Sequence, residues 1–191
     1  MRQVFAYGGI AASVILIAFG IGAVVIGING RSEVRDAIAE QNITATPDAP
    51  ALSNGELKAG QPIKNGSQAK AFANVMEHHA LEATGGKRYA EMGRFLTAAG
   101  KETNDENQAA KDPKTDQPVE NGLRNLWVTE TALTTALNTS YFAEQVAVFS
   151  IVMGIAMMFT GIGFLVLTLG GALGLVKVPG RKQKFEASAA T

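Results

Sequence analysis

Two adjacent histidines and the carboxylates near them are the residues whose types and spacing could do chemistry. His78 and His79 lie in the run SQAKAFANVMEHHALEATGG, with Glu82 about one turn further on. A nonhaem iron site of the usual kind needs two histidines and a carboxylate on converging faces. On a helix, neighbouring side chains point roughly 100° apart, so His78 and His79 cannot both ligate one ion without unwinding that turn. His78 and Glu82 share a face at i,i+4, and His79 and Glu82 do so approximately. A third ligand would have to come from Glu91 or another loop carboxylate. The simpler reading has the histidines packing or capping and Glu82 solvated. No metal or other cofactor is expected.

Other chemistries lack their parts. The chain has no cysteine nucleophile, and Ser67, His78 and Asp48 are too scattered in sequence to establish a catalytic triad. Gly85–Gly86–Lys87 lacks the remaining glycine and the Ser/Thr of a phosphate loop, and it falls at a helix end instead of after a strand. Lys87 and Arg88 could meet an anion or a lipid headgroup, but they read first as a solvated basic pair.

The elements that must position these residues follow from where charge is missing. The 191 residues are 47% apolar with a formal charge of zero, which by totals describes an ordinary soluble domain. Yet all 34 charged residues lie outside two windows, Gln3 to Gly30 and Gln145 to Val176. Each window exceeds the roughly 20 apolar residues a helix needs to cross a bilayer. The first is too long, and too poorly flanked by basic residues, for a cleaved signal peptide, and reads as a signal anchor. The expected fold class is an all-α membrane protein, a two-transmembrane helical hairpin with a small extracytoplasmic helical bundle. Its expected parts are a cytoplasmic N-terminus over 1–3, a span over 4–29, a helical domain over 30–144, a second span over 145–176 and a basic cytoplasmic tail over 177–191.

Orientation comes from the second span. Lys177, Arg181, Lys182 and Lys184 follow it and no basic residue lies within twenty positions before it, so both termini are expected in the cytoplasm of a two-pass protein of the cell membrane. The segment 31–144 carries 12 basic and 16 acidic residues, which gives no reason to expect nucleic acid as a partner. Small residues recur every seven positions in both spans: Ala6, Ser13, Gly20 and Gly27 in the first, Ala147, Gly154, Gly161 and Thr168 in the second. That period suits a close left-handed pair of helices, either the chain's own hairpin or a face for a further partner. A second row holds Ala156, Gly163 and Gly170, and Gly170 with Gly174 forms a GxxxG. Neither span holds an ionisable residue other than tyrosine, which argues against ion or proton transport.

Between the spans, the first helix is expected to continue through RSEVRDAIAEQN and to stop near Pro47 and Pro50. Residues 51–66 read as an extended connector. Ser67 is the expected cap of the next helix, with Phe72, Val75 and Met76 inward and Gly85–Gly86 as its stop. A short helix is expected through KRYAEMGRFLTAA, then a mobile loop about 100–121, rich in charge and poor in apolar groups. From Gly122 one helix should run unbroken into the second span with Leu123, Leu126, Leu133 and Leu137 on one face, Trp127 and Tyr141 beside it.

The stretch AFANVMEHHALEATGGKRYAEM, followed by LWVTETALTTALNTSYFAEQVAVF before a glycine-rich span, resembles a family of small two-span membrane proteins of actinobacteria. That family has a helix ending HALEATGGK-x-YAE, a downstream Leu/Trp–Thr–Ala–Leu helix entering the second span, and an I-x-x-x-PD-like segment, here Ile43 to Asp48. The match covers most of the chain and departs at 101–120, which looks like an insertion. Members are often described as aromatic ring-opening dioxygenases. The resemblance implies architecture and membrane location more than activity.

The functional expectation is a non-catalytic accessory or scaffold subunit of a larger membrane complex, with the lipid bilayer and either a membrane-protein partner or further copies of itself as partners. The candidate contact surface is His79, Tyr89, Glu91, Leu126 and Trp127, and the candidate packing residues are Ser13, Gly20, Gly27, Gly154 and Gly161. The alternatives are a sensor of envelope state, disfavoured by a cytoplasmic tail of about 15 residues, and a metal-dependent enzyme using His78, His79 and Glu82.

Overall fold

The two charge-free windows are helical throughout their described length. In the computed structural model, which describes residues 2–170, helix α1 runs Arg2–Glu40 and helix α4 runs Gly122–Leu169. Both are long and apolar enough to cross a membrane. Between them lie α2 (Ala49–Leu52), α3 (Gly66–Ala83) and a two-stranded sheet of β1 (Phe95–Leu96) and β2 (Glu102–Thr103). The chain is mostly helical, and this small sheet departs from the all-α expectation. The basic tail from Lys177, the end of the second window and Gly174 lie outside the described residues, as does the side chain of Ala6.

The chain divides into two units. One is built from Met1–Asn29 and the chain from Ala147, the other from Gly30–Val146. In the first, the seven-residue rows are what the two helices pack with. Ser13, Gly20, Gly27, Ala147, Gly154, Gly161 and Thr168 are all buried. A methyl group on Gly20 would lie 2.6 Å from the Gly154 carbonyl oxygen, and one on Gly154 the same distance from that of Gly20. Gly27 meets Ala147 and Ile151, and Gly161 meets Ser13 and Ile17, with the same lack of room. The Ser150 hydroxyl donates across to the Ala23 carbonyl at 2.9 Å. The rows thus close the chain's own hairpin, where close backbone approach supplies the dispersion contacts that hold helices together in lipid. The second row does not join this seam: Ala156 and Gly163 are exposed, with open space beside Gly163. Large side chains cover the outside, with Phe19 68% and Phe159 70% exposed.

The second unit is organised around α3. Asn65, not Ser67, caps it: the Asn65 side chain accepts from the Gln68 N–H, while the Gln68 side chain accepts from Lys64. At the far end Gly85 and Gly86 take positive φ and donate to the carbonyls of Glu82 and Leu81, a Schellman stop. Buried Phe72, Val75 and three alanines of α3 face Ile38 of α1 and Leu137 of α4. The connector is folded, where an extended one was expected. Ser53 turns back on Ala49, and Leu57 and Ile63 from this segment enter the same core, with Ala45 and Ala49 from just before it. Its proline- and glycine-rich composition signalled turns, while its apolar residues are too widely spaced to show a period.

Two further expectations are corrected. The helix expected after Lys87 is a single 3-10 turn, Tyr89–Glu91, followed by strand β1. Gly93 allows the close approach to β2, because a Cβ there would lie 2.6 Å from the Thr103 nitrogen. The segment 100–121, expected to lack structure, pairs through Phe95↔Thr103 and Leu96↔Glu102, and returns to bridge Phe95 with Glu120. Its carboxylates make turns by accepting backbone N–H groups: Asp105 from Asn107, Asp112 from Lys114 and Thr115. Hydrogen bonding supplies what apolar burial does not.

Candidate functional site

The sequence places charge sparingly on α4, and the structure turns that charge inward. From Asn125 to Leu169 the only charged residues are Glu130 and Glu144, and both are buried. Trp127, Glu130, Thr134, Leu137, Tyr141 and Glu144 succeed one another at alternating steps of three and four, which makes them one helical stripe. This stripe, and not the expected leucine face, is the inner side of α4. Leu123, Leu126 and Leu133 are exposed, and of the four leucines only Leu137 is buried.

Glu144, which is 4% exposed, is the most densely partnered carboxylate of the unit. It accepts from Arg35 at 2.6 Å and from Arg31 at 3.1 Å through one oxygen, and from the Gly66 backbone N–H at 2.6 Å through the other. Gly66 has to be glycine, because a Cβ would lie 2.7 Å from Tyr141 Cα. One carboxylate thereby joins the polar end of α1, the start of α3 and α4. Sequence reasoning missed it, although a signal exists. Glu144 is the last charge before the second window, and Arg31 and Arg35, four apart on one face, are the first basic residues after the other window.

The expected contact residues have different surroundings. Trp127 is 4% exposed; it packs with Ala80 and Met92 and donates its indole N–H to the Lys87 carbonyl at 2.9 Å. It is a core residue whose edge reaches a groove with Tyr89, Val128, Thr131 and Thr135. Tyr89 is exposed and carries the Arg124 guanidinium over its ring at 3.9 Å. Glu91 folds back to accept from the Arg88 N–H at 2.7 Å. Leu126 is exposed on α4. His79 is occupied elsewhere, its Nε2 2.7 Å from Asp48 Oδ2.

That pair bears on the chemistry first considered. His79 faces the aspartate just before α2, whereas His78 and Glu82 are exposed. Among the described residues no three of His, Cys, Asp or Glu come together as a metal site would require. The Thr46 hydroxyl and His79 hold the Asp48 carboxyl down at about 2, so the aspartate is an anion that anchors the start of α2 to α3. Glu102 is held below the usual carboxylate range by the Gly93 N–H and by Lys87, 3.2 Å away, and does the same for the sheet.

What remains open is the outer side of α4. Between Asn125 and Ala143 it exposes Leu126, Val128 and Phe142 among Thr131, Thr135 and Thr139, with no charge. A helix side that faces water normally carries charged residues, and depletion of charge is a mark of interface cores. No family model, curated protein or solved structure matches the chain.

Proposed function

We propose that this chain is a non-catalytic integral membrane protein that serves as an accessory or scaffold subunit of a larger membrane complex. The observation that carries this reading is the uncharged outer side of α4, on which every charge from Asn125 onward is turned inward and neutral threonines and apolar groups are left exposed. The exposed phenylalanines and branched residues of the two apolar helices support a lipid setting, since large apolar surfaces in water drive association. Both termini lie in the cytoplasm in this reading, and residues 30–144 outside. The basic cluster from Lys177 supports it, as does the engagement of Arg31 and Arg35 by Glu144, which offsets the competing basic flank of the first span.

In-cell crosslinking of the tagged protein, mild extraction and mass spectrometry of what accompanies it test the proposal. A stoichiometric partner or a defined homo-oligomer is expected, and Val128→Arg with Thr135→Arg should release it, because an unpaired charge is costly in a desolvated interface. Recovery of a lone monomer from wild type, or a complex indifferent to both substitutions, would overturn it.

A further inference from the structure

A cleft of about 480 Å³ opens in the Gly30–Val146 unit, walled by α1, α3 and α4. Ile38, Ile43, Phe72, Met76, Leu133 and Leu137 make its apolar surface, and no charged residue lines it. Its two polar lining residues are neutral. The Ser140 hydroxyl already donates to the Ala136 carbonyl, leaving the Gln41 carboxamide as the polar group a ligand would meet.

Size and lining together select an occupant. The volume falls within the roughly 300–1,000 Å³ of small-ligand sites and would hold only about one turn of a helix some 10–12 Å across. Sugars, nucleotides and peptides would bring donors and acceptors that this lining cannot pair. A hydrocarbon chain needs none. Ser140 also lies five residues before Gln145, roughly 7 Å along α4 from the start of the charge-free window, so the ligand's source is close.

We propose that this cleft holds one acyl chain of a membrane phospholipid. The proposal rests on the membrane placement argued above and is independent of any protein partner. The test uses the full chain in vesicles of phosphatidylethanolamine and phosphatidylglycerol, with a trace of phosphatidylglycerol bearing a diazirine at the end of one chain. After illumination, label is expected within 72–76 and 133–140 in addition to the spans. Ala136→Phe and Ala37→Phe, each adding a ring at an exposed position of the cleft wall, should lower the cleft label at least tenfold and leave the span label unchanged. Circular dichroism and Trp127 fluorescence identify a variant that keeps its fold. Label confined to the spans, cleft label unchanged in a folded variant, or a protein crosslinked in the cleft would each overturn the acyl-chain site. An absence of label from the spans as well would count against the membrane placement itself.

Discussion

Trp127 combines a packed ring with a hydrogen bond to the Lys87 carbonyl, so truncation removes both. Trp127→Ala is expected to destabilise the Gly30–Val146 unit by about 3–5 kcal/mol, whereas Leu126→Ala, one position away and exposed, should change it by about 0.5 kcal/mol or less. Urea unfolding followed by circular dichroism in a fixed detergent separates the two. Glu144→Ala strands the Gly66 N–H and two guanidinium groups. Because Arg31 and Arg35 keep about two-fifths of their side-chain surface in solvent, the expected loss is about 2 kcal/mol, below that of a wholly buried pair. Asp48 gives a pH signature. Its carboxyl titrates at about 2 when folded against 3.8 unfolded, so its stabilising effect is complete above 3.8 and fades as the pH falls toward 2. The stability gap between wild type and Asp48→Asn should therefore be open at about pH 5 and close in strong acid. An equal gap at both ends would show that the Asp48 charge contributes nothing.

At the scale of elements, the α1–α4 seam makes a sharp prediction. The chain has no native cysteine, so Ala23→Cys with Ser150→Cys reports directly on whether the two helices meet. Adding Gly20→Ile or Gly154→Ile should abolish that crosslink, since a side chain at either position runs into the opposing backbone, while Gly163→Ile, facing open space, should leave it intact. This seam was legible in the sequence because the period of seven and the residue size both report backbone approach. Gly85–Gly86 was legible for a similar reason, as the stop they make needs positive φ. The inner face of α4 was not. A leucine stripe at 123, 126, 133 and 137 fits helical spacing as well as the true one, and spacing cannot show that Glu144 meets two arginines from α1. The turns of segment 100–121 are not legible because composition measures how much apolar surface can be buried, while this segment is held by side chains accepting from its own backbone. Of the candidate contact residues, Tyr89 and Leu126 are exposed where a partner could reach them; Trp127 and His79 are committed to neighbours within the unit.

For the whole molecule, the cysteine-free background also permits a topology test. With both termini inside, Thr115→Cys should react with a membrane-impermeant maleimide on intact cells, and Ser188→Cys only after lysis. The reverse pattern would invert the orientation, and reaction of both on intact cells would contradict a two-pass arrangement. The inward turn of Glu130 and Glu144 carries a practical consequence for anyone isolating a complex formed on α4. A contact without ion pairs across it releases no counterions and gains nothing from low ionic strength. Washing membranes with molar sodium chloride, which strips peripheral proteins held by charge, should leave such an assembly whole. A change to a shorter-chain, harsher detergent, which competes for apolar surface, should take it apart.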